Sequence, residues 1–203
     1  MTDPTHRALG PGDRAPDFEL PAADVEGTVA LAEYRRRGPV LLTMLRGLYC
    51  PFCRRQISQL RPTSEALRAA GITLLGLVIA SPARSRQYFG HFPPCFPMAV
   101  APDRAIHRTY GLSEVTRTPE MRQEAERSAA EMLQALGLEA GPGQAGAVFA
   151  ASDGFEMTVD DQAEWQRPLQ RTGYFLIASD GVIRWVRLGI TPLPEVSELL
   201  ALV

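Results

Sequence analysis

The stretch MLRGLYCPFCRR, residues 44–55, joins an apolar run to the sequence Cys-Pro-Phe-Cys. The run PVLLTML at residues 39–45 is continuously apolar, which is typical of a strand buried on both faces. The residues after the second cysteine have a helical pattern whose buried face is predicted to be Ile57, Leu60, Ser64 and Leu67. Pro62 is expected to kink or interrupt this helix. The two cysteines are therefore predicted to lie where a buried strand leads into a helix.

A cysteine at the start of a helix lies beside unpaired backbone N–H groups and the positive end of the helix dipole. Both features stabilise a thiolate, so we expect a lowered pKa for Cys50 and a more reactive sulfur. Cys53 follows one turn later, close enough for a disulfide, and Pro51 suits a first turn because it has no N–H. We predict that Cys50 is the nucleophile and that Cys53 resolves a sulfenate or mixed disulfide formed on it. Tyr49 and Pro51 are supporting candidates, and nearby positive charge comes from Arg46, Arg54 and Arg55.

The chain has 203 residues, of which 45 % are hydrophobic and 22 % charged, and its formal net charge is -2. These ordinary values give no electrostatic case for binding to nucleic acid or an anionic membrane. The N-terminus lacks the apolar core of a secretory signal, and no run approaches the roughly 18 apolar residues of a membrane span. We therefore expect a cytoplasmic protein. In a reducing compartment a CxxC pair is more often catalytic or metal-binding than structural.

Strand and helix patterns alternate after the cysteine pair. Buried strands are predicted at 72–79 and 96–100, each followed by a helical segment, and a hairpin is predicted at 174–188. Residues 191–203 are expected to form a helix of about two and a half turns with its apolar residues facing inward. This order predicts an α/β protein with an at least partly parallel sheet and helices on its faces.

We expect a flexible tail at residues 1–10 and a single domain at 11–203, interrupted by an insertion at about 113–170. Within the insertion, Thr118 is predicted to cap a helix that carries an apolar stripe. Packing of this stripe on the core is the favoured interpretation, and a lid or dimer-forming element is the alternative. The glycine-rich residues 140–147 indicate a flexible connector.

A zinc site is the competing interpretation of the cysteines. Its tetrahedral ligand set would be Cys50, Cys53, His91 and Cys95. Two prolines lie between His91 and Cys95 and prevent the regular helix that would place both side chains on one face. We therefore predict no metal. Two buried cysteines acting as small apolar side chains are a further alternative.

His107 is expected on a helix surface and Cys95 in the core. No phosphate loop or dinucleotide fingerprint occurs, and no cofactor is predicted.

Four segments resemble the alkyl hydroperoxide reductase/thiol-specific antioxidant (AhpC/TSA), or peroxiredoxin-like, branch of the thioredoxin-like superfamily. They are GDRAPDFELPAADVEGTVALAEY, RGLYCPFCRRQ, FPMAVAPDRAIHRTYGL and YFLIASDGVIRWV, which span roughly residues 10–190. The resemblance implies a thioredoxin-like fold, a central mixed sheet flanked by helices, with the reactive cysteine at a helix start. The segment 113–170 has no counterpart in this resemblance.

The sequence departs from the family pattern near the cysteine pair. Typical members have a proline seven residues and a threonine three residues before the reactive cysteine, where this chain has Thr43 and Gly47. A family position that usually holds a cis-proline or an arginine is aligned with Thr172, next to Arg171. In the family these groups polarise the peroxide. Arg46 and Arg171 could replace them as cations, and a role as solvated surface charge is equally open.

The resemblance implies an antioxidant oxidoreductase that reduces hydroperoxides through Cys50, with a redox-active disulfide to Cys53. Thioredoxin- or glutaredoxin-like dithiol–disulfide exchange without peroxidase activity is the alternative. A non-enzymatic zinc-binding or interaction domain is the second alternative. The implied partners are a small hydroperoxide or disulfide and a thioredoxin-, glutaredoxin- or glutathione-type reductant. A homodimer is compatible with the sequence, and neither nucleic acid nor a membrane is expected as a partner.

Overall fold

The computed structural model describes residues 7–189, 193 and 195–203. They fall into two compact units. The second unit combines residues 49–51 with residues 114–169, and the first unit contains the rest of the described chain. Residues 49–51, which include Cys50, therefore belong to the same unit as most of the predicted insertion. Within the described residues, no helix is both long and apolar enough to cross a membrane.

The described secondary structure follows the predicted alternation of strands and helices. The strands are β1 (Glu19–Pro21), β2 (Thr28–Ala30), β3 (Val40–Gly47), β4 (Thr73–Ile79), β5 (Met98–Val100), β6 (Glu114–Val115), β7 (Leu169–Gln170), β8 (Gly173–Ile177) and β9 (Ile183–Leu188). The helices are α1 (Leu31–Arg35), α2 (Pro51–Gln59), α3 (Arg61–Ala69), α4 (Pro82–His91), α5 (Ala105–Thr109), α6 (Pro119–Ala135), α7 (Ala145–Ala151), α8 (Val159–Gln166) and α9 (Val196–Leu200).

The first unit is built on a five-stranded mixed sheet in the order β5–β4–β3–β8–β9. Strand β3 is central, parallel to β4 and antiparallel to β8. Strand β5 is parallel to β4, and β9 is antiparallel to β8. The sheet confirms the predicted α/β class, with crossover helices between the parallel strands and a hairpin at one edge.

Side chains of β3 alternate between two buried faces because successive strand residues point to opposite sides. Val40, Leu42 and Met44 join the main apolar cluster on one face. Thr43, on the opposite face, is in register with Gly76 of β4 and Tyr174 of β8. A strand buried on both faces needs an almost continuous apolar sequence, which the PVLLTML run supplies.

Pro62 separates two helices, as predicted. Helix α2 ends at Gln59 and α3 begins at Arg61, with the proline in its first turn. The missing N–H of proline is tolerated there because the first helical N–H groups have no intrahelical acceptor. The segment is therefore two short helices in place of one long helix.

The prediction for the C-terminal helix was wrong in length and orientation. Helix α9 covers only Val196–Leu200, and Leu199 is its buried residue. Leu200 and Leu202 are exposed, because neighbouring helical residues point about 100° apart and cannot all face one core. The part of the prediction that falls on residues 191, 192 and 194 lies outside the described residues.

In the second unit, α6 begins at the predicted cap. The Thr118 hydroxyl accepts a hydrogen bond from the Met121 N–H. Part of the predicted connector is helical, since α7 starts at Ala145. The Glu126 carboxylate accepts hydrogen bonds from the N–H groups of Ala145 and Gly146, at 2.6 and 2.9 Å. The carboxylate on α6 thus supplies acceptors for two N–H groups at the start of α7, which have no acceptor within that helix. No local sequence pattern encodes this contact.

Candidate active site

Cys50 is the residue directly before α2, and Cys53 is the third residue of that helix. Both side chains are buried, at 3 % and 0 % exposure, and both are thiols in the structure. Pro51 is the first helical residue, where its missing N–H costs nothing. The predicted order of strand, cysteine and helix is therefore present, with the first cysteine at the helix start.

Three side chains of the first unit hold the chain segment that leads to the cysteine pair. The Arg46 Nε–H donates to the Gln170 carbonyl at 2.9 Å. The buried Arg54 donates from Nη1 to the Leu48 carbonyl at 2.7 Å. His107 bonds the Leu45 carbonyl through Nε2 at 2.8 Å. The carbonyls of Leu45 and Leu48 thus have partners on α5 and α2, and the side chain of Arg46 is held by the carbonyl of Gln170.

The predicted cations differ in their surroundings. Arg46 is half-buried and its guanidinium is bound to the backbone of the segment before β8. Arg171 is exposed, and its backbone N–H bonds the Ser113 carbonyl at 3.3 Å. Of these two arginines, Arg46 is therefore the one held in a defined position by a side-chain hydrogen bond.

Thr172 lies at the aligned family position and is 2 % exposed. Its carbonyl accepts a hydrogen bond from the Gly189 N–H at 2.9 Å, which anchors the segment to β9. Its hydroxyl has no hydrogen-bond partner among the described residues, and neither does the hydroxyl of Thr43. A buried polar atom without a partner costs free energy.

Gln56 and Tyr174 are site residues that the sequence did not indicate. The Gln56 side-chain amide donates a hydrogen bond to the Tyr174 hydroxyl, and both residues are buried. Burial raises the pKa of Tyr174, and negative charge on Cys53 raises that pKa further, so the phenol and the thiol are electrostatic neighbours. Gln56 lies three residues after Cys53 and shares its helix face. That spacing could have identified Gln56 as a neighbour of Cys53, whereas no sequence pattern identified Tyr174.

Tyr49 lies beside Cys50 in the second unit and packs against a residue of α8. Its ring makes an edge-to-face contact with Trp165, with ring centroids 6.1 Å apart and planes at 79°. The Arg117 guanidinium lies 4.9 Å from the centroid of the same indole ring. The candidate residue Tyr49 is thus part of an aromatic and cationic cluster contributed by residues 114–169.

Two expectations about single residues were wrong. His107 is fully buried, because α5 places its imidazole against the carbonyl of Leu45 at the end of β3. Cys95 is partly exposed instead of being a core residue, because it lies in the irregular segment between α4 and β5. Desolvation raises the pKa of the Cys95 thiol.

The proposed zinc ligands do not converge. Within residues 7–189, 193 and 195–203, no group of three or more His, Cys, Asp or Glu side chains could hold a metal ion. His91 is exposed on α4, and its Nδ1 lies 2.8 Å from the Gln87 carbonyl. The described residues therefore give no support for the metal interpretation of the cysteine pairs.

The central mixed sheet, with a helix that starts directly after a cysteine, defines a thioredoxin-like fold. The model of the AhpC/TSA family matches residues 11–186 of this chain. Because the match covers most of the sequence, the chain belongs to the AhpC/TSA family, as the resemblance of its segments implied.

Comparisons with individual proteins agree with this assignment. A protein of Mycobacterium tuberculosis, provisionally named a peroxiredoxin, is 31 % identical over 103 residues. That match covers 51 % of this chain and 64 % of the relative. The crystal structure of peroxidoxin BcpB from Mycobacterium tuberculosis has a TM-score of 0.60 at 14 % identity and covers 95 % of both chains. A structure from Chlorobium tepidum, provisionally described as the thiol:disulfide interchange protein DsbE, has a TM-score of 0.56 at 17 % identity, covering 96 % of this chain and 94 % of that one.

Proposed function

We propose that this chain is a thiol-dependent oxidoreductase that reduces a small hydroperoxide through Cys50 and Cys53. The observation that carries the proposal is the position of Cys50 as a buried thiol directly before the first turn of α2. The backbone N–H groups of a helix start and the positive end of its dipole stabilise a thiolate. A thiolate is the nucleophilic form of cysteine.

The first chemical step is attack of the Cys50 thiolate on the terminal oxygen of the hydroperoxide. A sulfur–oxygen bond forms, the oxygen–oxygen bond breaks, and the alkoxide leaves and takes a proton to become an alcohol. The sulfur is oxidised to a sulfenic acid while the peroxide is reduced.

The second step is attack of the Cys53 sulfur on the Cys50 sulfenic acid. A disulfide forms and the sulfenic oxygen leaves as water, taking the proton of the Cys53 thiol. Residues three apart on a helix lie on one side of it, which suits this pairing. A dithiol reductant of thioredoxin or glutaredoxin type, or glutathione, would restore both thiols by exchange.

Dithiol–disulfide exchange is the second candidate function. The presence of two cysteines in one helical turn suits it, and so do Thr43, Gly47 and Thr172 at the positions where peroxiredoxins carry peroxide-binding groups. The structures to which this chain is similar include both a peroxidoxin and a protein provisionally described as a thiol:disulfide interchange protein. In this case Cys50 would attack a disulfide sulfur in place of a peroxide oxygen.

The proposal places the chain in a reducing compartment such as the cytosol, where the resting pair would be two thiols. We also propose that the segment at about residues 113–170 is an insertion into a single domain that spans residues 11–203. Both statements can be tested independently of the chemistry, by cellular fractionation and by limited proteolysis.

The deciding experiment is a stopped-flow titration of the reduced protein with hydrogen peroxide and, separately, with a small disulfide. Free thiols are counted by alkylation at each time point. Cys50→Ser and Cys53→Ser test the two roles, and Cys95→Ser is the matched control because that thiol is distant in sequence and only partly buried.

Rapid loss of two thiols on addition of peroxide, abolished in Cys50→Ser and unaffected in Cys95→Ser, is the expected result. In Cys53→Ser we expect a sulfenic acid that dimedone traps. Slow reaction with peroxide but fast reaction with the disulfide would replace the peroxidase proposal with dithiol exchange. Equal reactivity of wild type and Cys50→Ser towards both oxidants would contradict both candidates.

A further inference from the structure

Helix α8 of the second unit is fixed at both of its ends. At its start, the Thr158 hydroxyl accepts from the Asp161 N–H at 3.2 Å, and the Asp161 carboxylate accepts from the Thr158 N–H at 3.0 Å. At its end, the Arg167 guanidinium pairs with Glu164 at 2.9 Å and with Glu114 at 3.7 Å. Reciprocal capping and a small ion-pair network restrict fraying of so short a helix.

The fixed helix holds Trp165 between two partners. The Tyr49 ring meets the indole edge-to-face, and Arg117 lies over its face. Arg117 also donates from Nη1 to the Arg167 carbonyl at 2.8 Å, which ties it to the end of α8. Although 45 % of Trp165 is exposed, its orientation is therefore defined by contacts on more than one side.

The contact with Trp165 fixes the Tyr49 ring, and Tyr49 is adjacent to Cys50 in the chain. A fixed Tyr49 therefore restricts the backbone of the cysteine. Tyr49 is 3 % exposed and Cys50 is likewise 3 % exposed, so neither has room to change its conformation without repacking. The stabilisation of a thiolate by a helix start falls off within the first turn, and thus depends on the exact position of the sulfur. A displaced Tyr49 would change that position.

From these contacts we propose that Trp165 is a positioning residue for Cys50. The indole holds the Tyr49 ring, and the ring fixes the backbone of the residue that follows it. The region 114–169 thereby contributes to the reactivity of the cysteine, beyond packing as an added helical segment. This inference rests on the proposed function only in taking Cys50 as the nucleophile, and it does not depend on which oxidant the protein uses.

The test measures the alkylation rate of Cys50 by iodoacetamide as a function of pH. Cys53→Ser and Cys95→Ser are introduced first so that Cys50 is the single thiol. Trp165→Ala removes the ring, Trp165→Leu keeps apolar volume without an aromatic edge, and Trp165→Phe keeps an aromatic edge. Val159→Ala is the matched control, because Val159 is on the same helix and 80 % exposed. Thermal denaturation of each variant reports stability separately.

We expect the midpoint of the pH–rate profile to rise in Trp165→Ala and Trp165→Leu. Below the midpoint the alkylation rate should then fall about two- to tenfold, the factor that one edge-to-face aromatic contact is worth. Trp165→Phe and Val159→Ala should keep the original midpoint. Easier entry of the reagent alone would raise the plateau rate and leave the midpoint in place.

An unchanged midpoint in a folded Trp165→Ala or Trp165→Leu variant would overturn the inference, whatever happens to the melting temperature. An equal shift of the midpoint in Val159→Ala would overturn it as well. If the alanine variant does not fold, the leucine variant decides. A shifted midpoint together with slow peroxide reduction would refute the peroxidase proposal and leave this inference intact.

Discussion

Gln56 of α2 donates a hydrogen bond to the hydroxyl of Tyr174 on β8, across the boundary between helix and sheet. The two residues are 118 positions apart in the chain. Tyr174 therefore lies beneath the helix that carries Cys53, and its pKa responds to charge on that cysteine. Because the phenol accepts from Gln56, its own O–H proton is still able to donate to a sulfur anion.

Tyr174→Phe should slow the resolving step more than the first step. Loss of the phenol removes a donor near the buried Cys53, so the Cys53 thiolate needed for attack becomes less stable. We expect a severalfold slower disappearance of the Cys50 sulfenic acid, with little change in the rate of its formation. Dimedone trapping at successive times after mixing with peroxide separates the two rates.

Tyr110→Phe is the matched control for this substitution. Tyr110 is also fully buried, and its hydroxyl donates to the Pro16 carbonyl at 2.8 Å, but its side chain belongs to the apolar cluster on the other sheet face. Both substitutions should cost about 1 kcal/mol of unfolding free energy for the lost hydrogen bond. Equal resolving rates in the two variants would show that Tyr174 has only a structural role.

His107 should make the folded protein less stable in mild acid. Burial, together with Arg104 and Arg108, lowers the pKa of His107 from 6.5 to about 4, although the Leu45 carbonyl opposes the shift. The unfolded chain therefore binds the proton more readily between these pH values. Stability is at its full value above about pH 6.5 and falls as the pH decreases towards 4, by up to about 3 kcal/mol.

Urea denaturation of wild type and His107→Gln, at several pH values between about 4 and 6.5, gives the free energy of unfolding of each protein. The difference between the two pH dependences is the contribution of His107. The glutamine can still donate to the Leu45 carbonyl but does not titrate, so the acid-dependent loss should become smaller. His91→Gln, at an exposed histidine of α4, should retain the wild-type slope. A slope unchanged in His107→Gln would argue against a neutral buried imidazole.

Thr158→Ala should destabilise α8 locally. The substitution removes the hydroxyl that accepts from the Asp161 N–H and donates to the Asp161 carboxylate at 2.9 Å. Loss of such a cap costs about 1 kcal/mol. Hydrogen exchange of the α8 amides should accelerate severalfold, whereas Thr158→Ser should keep the wild-type rates. Unchanged exchange in the alanine variant would mean that tertiary contacts alone hold the helix.

Gly76 of β4 leaves room for two larger side chains, and an alanine there should be destabilising. A Cβ at this position would lie 2.9 Å from Phe96 and 3.1 Å from Met98. Such overpacking costs about 1–3 kcal/mol. Gly90→Ala on α4 is the matched control, because its Cβ would meet nothing within 4 Å, and it should stabilise by about 0.5–1 kcal/mol. Equal denaturation midpoints for both variants would contradict this account of the core.

The sequence was sufficient for the features that depend on local periodicity and local chain chemistry. The apolar run before the cysteines predicted the central strand, and Pro62 predicted the break between α2 and α3. Thr118 predicted the start of α6. These predictions succeeded because strand burial, proline geometry and helix capping are set by residues within a few positions of one another.

The remaining elements were missed where their stability comes from distant residues. Helix α7 starts on a carboxylate of α6, and His107 is buried against a carbonyl of β3. Helix α8 and its Trp165 were not predicted, although Thr158 and Asp161 form a recognisable capping pair. A short helix has little intrinsic stability, so its presence depends on tertiary partners more than on its own sequence.

By itself, the sequence determined the class of fold and the dithiol motif at a helix start, because both follow from patterns along one stretch of chain. Only the tertiary structure placed Tyr174 beside Gln56 and Cys53, and Trp165 against the neighbour of Cys50. These contacts join residues more than a hundred positions apart, and strand order, register and helix packing decide such pairings. No local pattern carries that information, because the energy of each contact appears only when both partners are in place.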